Sequence, residues 1–329
     1  MHELSVVILA AGEGKRMKSK NSKVVFPVCQ KPIINWVLDA ALGAGATFAT
    51  VVVGHMEDQV RAAVGDKATF VTQHEQLGTA HAVMQARSTI ENSSHVLVLA
   101  GDTPLIEAQT LKAAYDEHIK CDNDMTVITT ILRDPAGYGR IVRNLTGEID
   151  RIVEEKDATE TQRKISEINS GMYCFRSSAL LAALEKVDNN NAQGEYYLTD
   201  VLSLLRSEGR RVGAHIAPDC EEISGVNNRV QLASADLQMR RRINSRHMLC
   251  GVTIMNTDDT YIAPEVEIGR DTVIYPGAIL SGNTKIGEDV VIGPSCRLVN
   301  AVIEDGADIF YSTVLDSSIK KNTHVGPYA

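Results

Sequence analysis

Lys15 and Arg16 follow the glycines of Ala10-Ala11-Gly12-Glu13-Gly14, in a turn that comes directly off the apolar run Val6 to Leu9. Glycines let backbone N–H groups approach phosphate oxygens closely, and the two cations bring positive charge to the same place, so the segment suits a nucleotide. A tight turn with solvated charges would use the same residues. The spacing fits neither the three-glycine dinucleotide fingerprint nor the P-loop, which needs Gly-Lys-Ser/Thr after four intervening residues, and a different class of nucleotide site is indicated. A second candidate is Gly101-Asp102, where a carboxylate follows the apolar run His95 to Ala100.

The elements that must position these residues alternate in type. Leu4–Leu9, Thr50–Gly54, Thr69–Thr72 and His95–Ala100 read as strands. Ile33–Leu42, Glu57–Val64 and Thr79–Ile90 carry apolar residues at helical spacing. This rhythm predicts an α/β fold, a doubly wound, mostly parallel sheet with helices on both faces. The glycine turn and Asp102 then share the carboxyl edge of the sheet, where ligands of such folds bind. Met125–Leu132, Gly139–Asn144, Glu148–Glu154 and Asn169–Phe175 read as an added mixed-sheet region, with a hairpin turn at Asn144-Leu145-Thr146-Gly147. Asn228 to Leu249 is helical in pattern, and its arginines, Arg229, Arg240, Arg241, Arg242 and Arg246, read as a solvated face.

Beyond Cys250 the period becomes six. Ile262, Ile268, Ile274, Leu280, Ile286, Ile292 and Leu298 recur at every sixth position, with Val266, Thr272, Ala278, Thr284 and Val290 two residues before their successors. Each hexapeptide forms one side of a triangular coil, and stacked coils bury a continuous core. The register slips to Ile303, continues at Ile309 and Leu315, and slips again before Ile319 and Val325. Pro264, Pro276 and Pro294 exclude a helix here. The expected domains are therefore 1–227, a connecting helix at 228–250, and a β-helix at 251–329.

At 329 residues, 44% apolar and 23% charged, the composition is that of an ordinary globular protein with room for two cores. The run Val6 to Ala11 is too short to span a bilayer and lacks a basic leader, so no membrane insertion and a cytoplasmic location are expected. Six cysteines stand singly with no C-x-x-C spacing, and they read as reduced packing residues. A formal charge of −9 argues against nucleic-acid binding, leaving local cations and metal ions to hold an anionic ligand.

Eight segments in order resemble the bacterial bifunctional N-acetylglucosamine-1-phosphate uridylyltransferase/glucosamine-1-phosphate acetyltransferase family, in which a sugar-nucleotidyltransferase domain precedes a left-handed parallel β-helix. They are Leu9 to Met17, Gln73 to Ala82, Gly101-Asp102-Thr103-Pro104-Leu105, Gly137-Tyr138-Gly139-Arg140-Ile141, Ile152 to Ala158, Glu167 to Gly171, Asn189 to Tyr197 and Gly225-Val226-Asn227-Asn228-Arg229. The resemblance spans the whole chain.

It implies transfer of a uridylyl group from UTP to N-acetylglucosamine 1-phosphate, giving UDP-N-acetylglucosamine for cell-wall precursors and pyrophosphate. Magnesium would be the cofactor, held by Asp102 and Asn227. Arg16 and Lys23 would take the phosphates and the leaving pyrophosphate. The nucleotide would meet Leu9, Ala10, Ala11, Gly12, Gln73, Gly78, Thr79, Ala100, Gly101 and Asp102. The amino sugar would meet Gly139, Glu154 and Asn169. His74 and His81 look like bystanders, because the sugar phosphate supplies its own nucleophile.

A homotrimer through the β-helix is implied as well. The family's acetyltransferase residues lie in coils beyond Ala329, so that activity is expected to be absent. Lys15, Ser22, Phe26 and Gln30 depart from the family pattern and leave the path of the Lys23 loop open. Two other readings are a nucleotidyltransferase making a different nucleotide sugar and a non-catalytic regulatory homologue. The retention of Asp102, Asn227, Arg16 and Lys23 weighs against the second.

Overall fold

The computed structural model describes residues 2–191 and 193–329. They form two compact units, one running up to Phe26 and again from Pro32 to Asn228, the other made of Pro27–Lys31 and Arg229–Ala329.

In the first unit the strands are β1 (His2–Leu9), β2 (Phe48–Val53), β3 (Thr69–Thr72), β4 (Ser93–Ala100), β5 (Met125–Ile131), β6 (Gly139–Arg143), β7 (Ile149–Val153), β8 (Glu167–Arg176) and β9 (Val212–Ile216). The main sheet runs β9-β5-β8-β4-β1-β2-β3, with β6 pairing β8 and β7. β1 lies parallel between β2 and β4, and β8 enters antiparallel to β4 and β5. The sheet is mixed because β8 runs against its neighbours.

Successive residues of β1 serve opposite faces, as a strand requires. Val6 and Ile8 share a cluster with Ile34, Val37 and Leu38 of helix α1 (Ile33–Gly43) and Val60 of helix α2 (Glu57–Val64), whereas Val7 packs with Ala80 and Val83 of helix α3 (Thr79–Gln85). The expected single helix over 79–90 is two. Ala86 leaves helical geometry at φ −90° and ψ 19°, its N–H is shared between Val83 and Met84 carbonyls, and α4 (Arg87–Glu91) starts afresh. The hairpin between β6 and β7 forms as its sequence predicts, with Asn144 Oδ1 accepting from the Thr146 and Glu148 N–H groups at 3.0 and 2.9 Å.

The second unit is built on a parallel β-helix of three sheets. Along one sheet Ile262, Leu280, Leu298 and Val314 stand in register; along another, Ile268, Ile286, Ile303 and Ile319 do so. Leu315 is not the axis residue that counting by sixes predicts. Val314 is buried and Leu315 is 49% exposed. The coils shorten along the axis, Leu280 pairing Leu298 but Leu298 pairing Val314, so the apolar position comes one residue earlier. Val266, Thr272, Ala278, Thr284 and Val290 are all buried, completing the layers.

The helix Arg229–Leu249 packs within this unit. Asn244 is buried and donates from Nδ2 to the Thr257 and Thr260 carbonyls. The arginine face is not simply solvated: Arg240 lies 3.9 Å from the centroid of the Tyr261 ring, and Arg241 forms a two-point bond to Asp258 at 2.9 and 3.0 Å. Of the six cysteines only Cys29, Cys174 and Cys296 are buried; Cys121 and Cys250 are exposed.

Candidate active site

The carboxyl ends of β1 and β4 bring the first group of predicted residues together. Leu9 pairs with Ala100, and the Leu9 carbonyl accepts the Gly101 N–H at 2.9 Å. Beyond the strand the glycine turn needs its glycine: Gly14 has φ 62°, and a Cβ there would lie 2.8 Å from Lys23 Cβ. Lys23 is thereby admitted beneath the turn. Its ammonium bonds the Asp102 carboxylate and donates to Asn227 Oδ1 at 2.9 Å.

The rest of the scaffold fixes those two oxygens. The Val226 N–H donates to the Asp102 carbonyl at 2.8 Å, so the loop carrying Asn227 is tied to the residue it faces. Glu222, buried, accepts from the Glu107 N–H at 3.0 Å and the Thr110 hydroxyl at 2.9 Å at the start of helix α5 (Ala108–Lys120). Ser22, just before Lys23, is anchored by its N–H to Gln59 Oε1 at 2.8 Å. The oxygens of Asp102 and Asn227 thus converge on one cation. A hard divalent ion suits such a pair, and magnesium commonly takes only one or two protein ligands while keeping water in the rest of its shell. Among the described residues no cluster of three or more His, Cys, Asp or Glu offers a richer cage.

The two cations of the turn differ. Lys15 is paired with Glu13 at 2.6 Å. Arg16 is exposed and its guanidinium has no ion pair among the described residues.

A cavity of about 220 Å³ opens beside the turn, lined by Leu9, Ala11, Gly12, Gln73, Gly78 and Thr79 together with Gln76, Ala82 and Glu195. The first six are predicted site residues. Ala10 is buried behind them and donates its N–H to the Val52 carbonyl. Gln73 is buried and donates from Nε2 to the Gly78 carbonyl at 3.1 Å, while His81 Nδ1 lies 3.1 Å from the same nitrogen. Gly78 has φ 113°, and a Cβ on it would meet the Tyr196 carbonyl at 2.5 Å. Residues 196–198 explain this closeness: the Tyr196 N–H donates to the Leu77 carbonyl, the Tyr196 carbonyl accepts from the Ala80 N–H, and the Leu198 N–H donates to Thr79 Oγ1. They brace the loop that forms the cavity wall.

Gly139, Glu154 and Asn169 form the third group. Gly139 pairs with Asn169 across β6 and β8, and a Cβ on Gly139 would lie 3.5 Å from both Asn169 Cβ and Glu154 Oε1. Asn169 is oriented by its own bonds, Nδ2 to the Tyr173 hydroxyl at 2.8 Å and Oδ1 to the Gly171 N–H at 3.1 Å. Burial, and then the neighbouring Asp157 and Asp200, push the Glu154 carboxyl above its ordinary range. The next residue, Glu155, is paired at 2.7 Å with Arg140, whose side chain is buried.

Several contributing residues are absent from the sequence-derived site: Gln76, Ala82 and Glu195 in the wall, Glu222 at the start of α5, and His81 beside Gln73. All but Glu222 fall inside the segments Gln73 to Ala82 and Asn189 to Tyr197. Glu222 carries no sequence signal, because its partners Glu107 and Thr110 are more than a hundred positions away.

Residues 5–221 match the nucleotidyl transferase family model, and residues 265–300 match the bacterial transferase hexapeptide (six repeats) model. Fold and site therefore define a nucleotidyltransferase carrying a hexapeptide β-helix. The chain is 52% identical over 329 residues to the bifunctional protein GlmU of Caldanaerobacter subterraneus subsp. tengcongensis, covering 100% of this chain and 72% of that protein. It is 50% identical over 324 residues to the bifunctional protein GlmU of a Geobacillus species (98% and 71%), and 47% identical over 323 residues to that of Clostridioides difficile (98% and 70%). The chain belongs to the GlmU family. No helix among the described residues is long and apolar enough to cross a membrane.

Proposed function

We propose that this nucleotidyltransferase joins UTP and N-acetylglucosamine 1-phosphate into UDP-N-acetylglucosamine, working in the cytoplasm where nucleoside triphosphates are available. The observation that carries the reading is the convergence of the Asp102 carboxylate and Asn227 Oδ1 on a single cation at the end of the sheet. A phosphate oxygen of the sugar phosphate forms a bond to the α-phosphorus, the bond from that phosphorus to the bridging oxygen breaks, and pyrophosphate leaves with the electron pair. No side-chain nucleophile and no proton transfer are needed.

Asp102 and Asn227 would hold magnesium, which neutralises phosphate charge. Lys23 and Arg16 stabilise the negative charge that grows on the transferring and leaving phosphates. Gln73 and the cavity wall hold the uracil ring, and Glu154 with Asn169 accepts from and donates to the sugar. Three copies assemble through the β-helix, whose exposed Ile279, Val302 and Leu315 supply apolar contact surface.

Pyrophosphate release, followed with each of the four nucleoside triphosphates and N-acetylglucosamine 1-phosphate at varied magnesium, tests this. Magnesium-dependent turnover with UTP well above the other three is expected. Equal use of another nucleotide, or none of UTP, overturns it.

A further inference from the structure

His81 is not among the predicted ligand-binding residues, yet it faces the amide of Gln73, which is. The orientation of that amide is settled by the Gly78 carbonyl, which can only accept: Nε2, not Oε1, must face it at 3.1 Å. The second N–H of Nε2 is then directed at His81 Nδ1, also 3.1 Å away. Both ring nitrogens face an amide N–H, but Gln73 is buried with no solvent to turn to, whereas half-buried Gln85 can reach water, so the ring lone pair is worth more at Nδ1. Gln85 Nε2 donates to the His81 carbonyl at 3.0 Å and stands 3.2 Å from ring Nε2, and the Tyr196 ring lies beside the imidazole with centroids 6.5 Å apart.

We infer that His81 is a positioning residue that locks Gln73 as a pure acceptor toward the base, and so sets selectivity for uracil over cytosine. With both amide N–H groups used, Oε1 is the atom Gln73 presents to the cavity. An acceptor there matches the imide N3–H of uracil and meets the lone pair of cytosine N3 with repulsion. Without the His81 lone pair the amide loses one of two bonds that fix it, and it can turn its N–H toward the base. The inference rests on the uridine reading given above.

The test is the ratio of kcat/KM for UTP to that for CTP in His81→Phe, His81→Asn and Gln73→Leu, with thermal melting as the check on folding. His81→Phe keeps a ring against Tyr196 but no acceptor, and its ratio should fall about tenfold, through KM for UTP rather than kcat. His81→Asn places an oxygen near the position of Nδ1 and should restore most of the ratio. A ratio unchanged in a folded His81→Phe, or lowered as much in His81→Asn, overturns the inference while a loss in Gln73→Leu leaves the uracil assignment standing. An unchanged ratio in Gln73→Leu overturns both.

Discussion

Lys23 donates to Asn227 across 204 positions of sequence, at 2.9 Å, and the same ammonium bonds Asp102. A lysine standing between two oxygens does what a metal ion would do with them, and on the proposed reading Asp102 and Asn227 would serve magnesium while Lys23 would serve phosphate. Asp102→Ala or Asn227→Ala should lower turnover about a hundredfold or more without unfolding the protein. Pyrophosphate release across a magnesium titration, with circular dichroism as control, checks this; near-normal turnover at moderate magnesium would refute the assignment.

Glu154 is held above its ordinary pKa near 4.5, by burial first and by Asp157 and Asp200 next. The folded state therefore binds this proton more tightly than the unfolded chain does. The group therefore costs least at acid pH, and its cost grows as pH rises from about 4.5 through the raised folded value. Glu154→Gln should melt higher than the parent at neutral pH, lose this part of the pH dependence, and show a raised KM for N-acetylglucosamine 1-phosphate. Melting curves between pH 4 and 8 with saturation kinetics measure both.

Gly78→Ala places a Cβ within 2.5 Å of a backbone carbonyl at a φ that side chains rarely adopt. Neither the Tyr196 backbone nor the loop can yield cheaply. A loss of about 2–3 kcal/mol is expected, with KM for UTP raised more than kcat is lowered. Denaturant melts and kinetics would expose a tolerant site.

Glu222→Ala leaves a backbone N–H and a buried hydroxyl without their acceptor and should cost about 3 kcal/mol. Because Glu222 lies five residues before Asn227, the variant should also need more magnesium for half-maximal rate. Unaltered stability and magnesium dependence would show that the clamp is idle.

Val314→Ser and Leu315→Ser separate the axis of the β-helix from its surface. The first removes a buried apolar side chain and inserts a hydroxyl, costing about 2 kcal/mol; the second should stay within about 0.5 kcal/mol in the isolated chain. If Leu315 also lies between copies, sedimentation of Leu315→Ser should show weaker association while its fold is kept.

Most of the fold is legible in sequence because periodicity records burial. The strands around Val6, Val51 and Leu97 carry runs buried on both faces, and the hexapeptide ladder names its own axis until the coils shorten after Leu298. The break at Ala86 was not legible, since alanine favours continuing a helix and only its tertiary setting stops it. In the site, short-range features such as Gly14 and Gly101-Asp102 announce themselves. Glu222 and His81 do not, because each acts through hydrogen bonds to partners whose placement only the folded chain decides.

The two units cannot be separated by one cut. Pro27–Lys31 follows Lys23 by a few residues but belongs to the second unit, where Val28 is fully buried, the Cys29 N–H donates to Asp236 Oδ1 at 2.8 Å, and Cys29 Sγ donates to the Asp236 carbonyl. A protein shortened at Asn228 would keep every proposed site residue, yet it would leave buried Val28 and Cys29, five and six residues beyond Lys23, without the unit to which they belong. The segment that follows Lys23 thus takes its hydrogen-bond partner from chain that comes two hundred residues later.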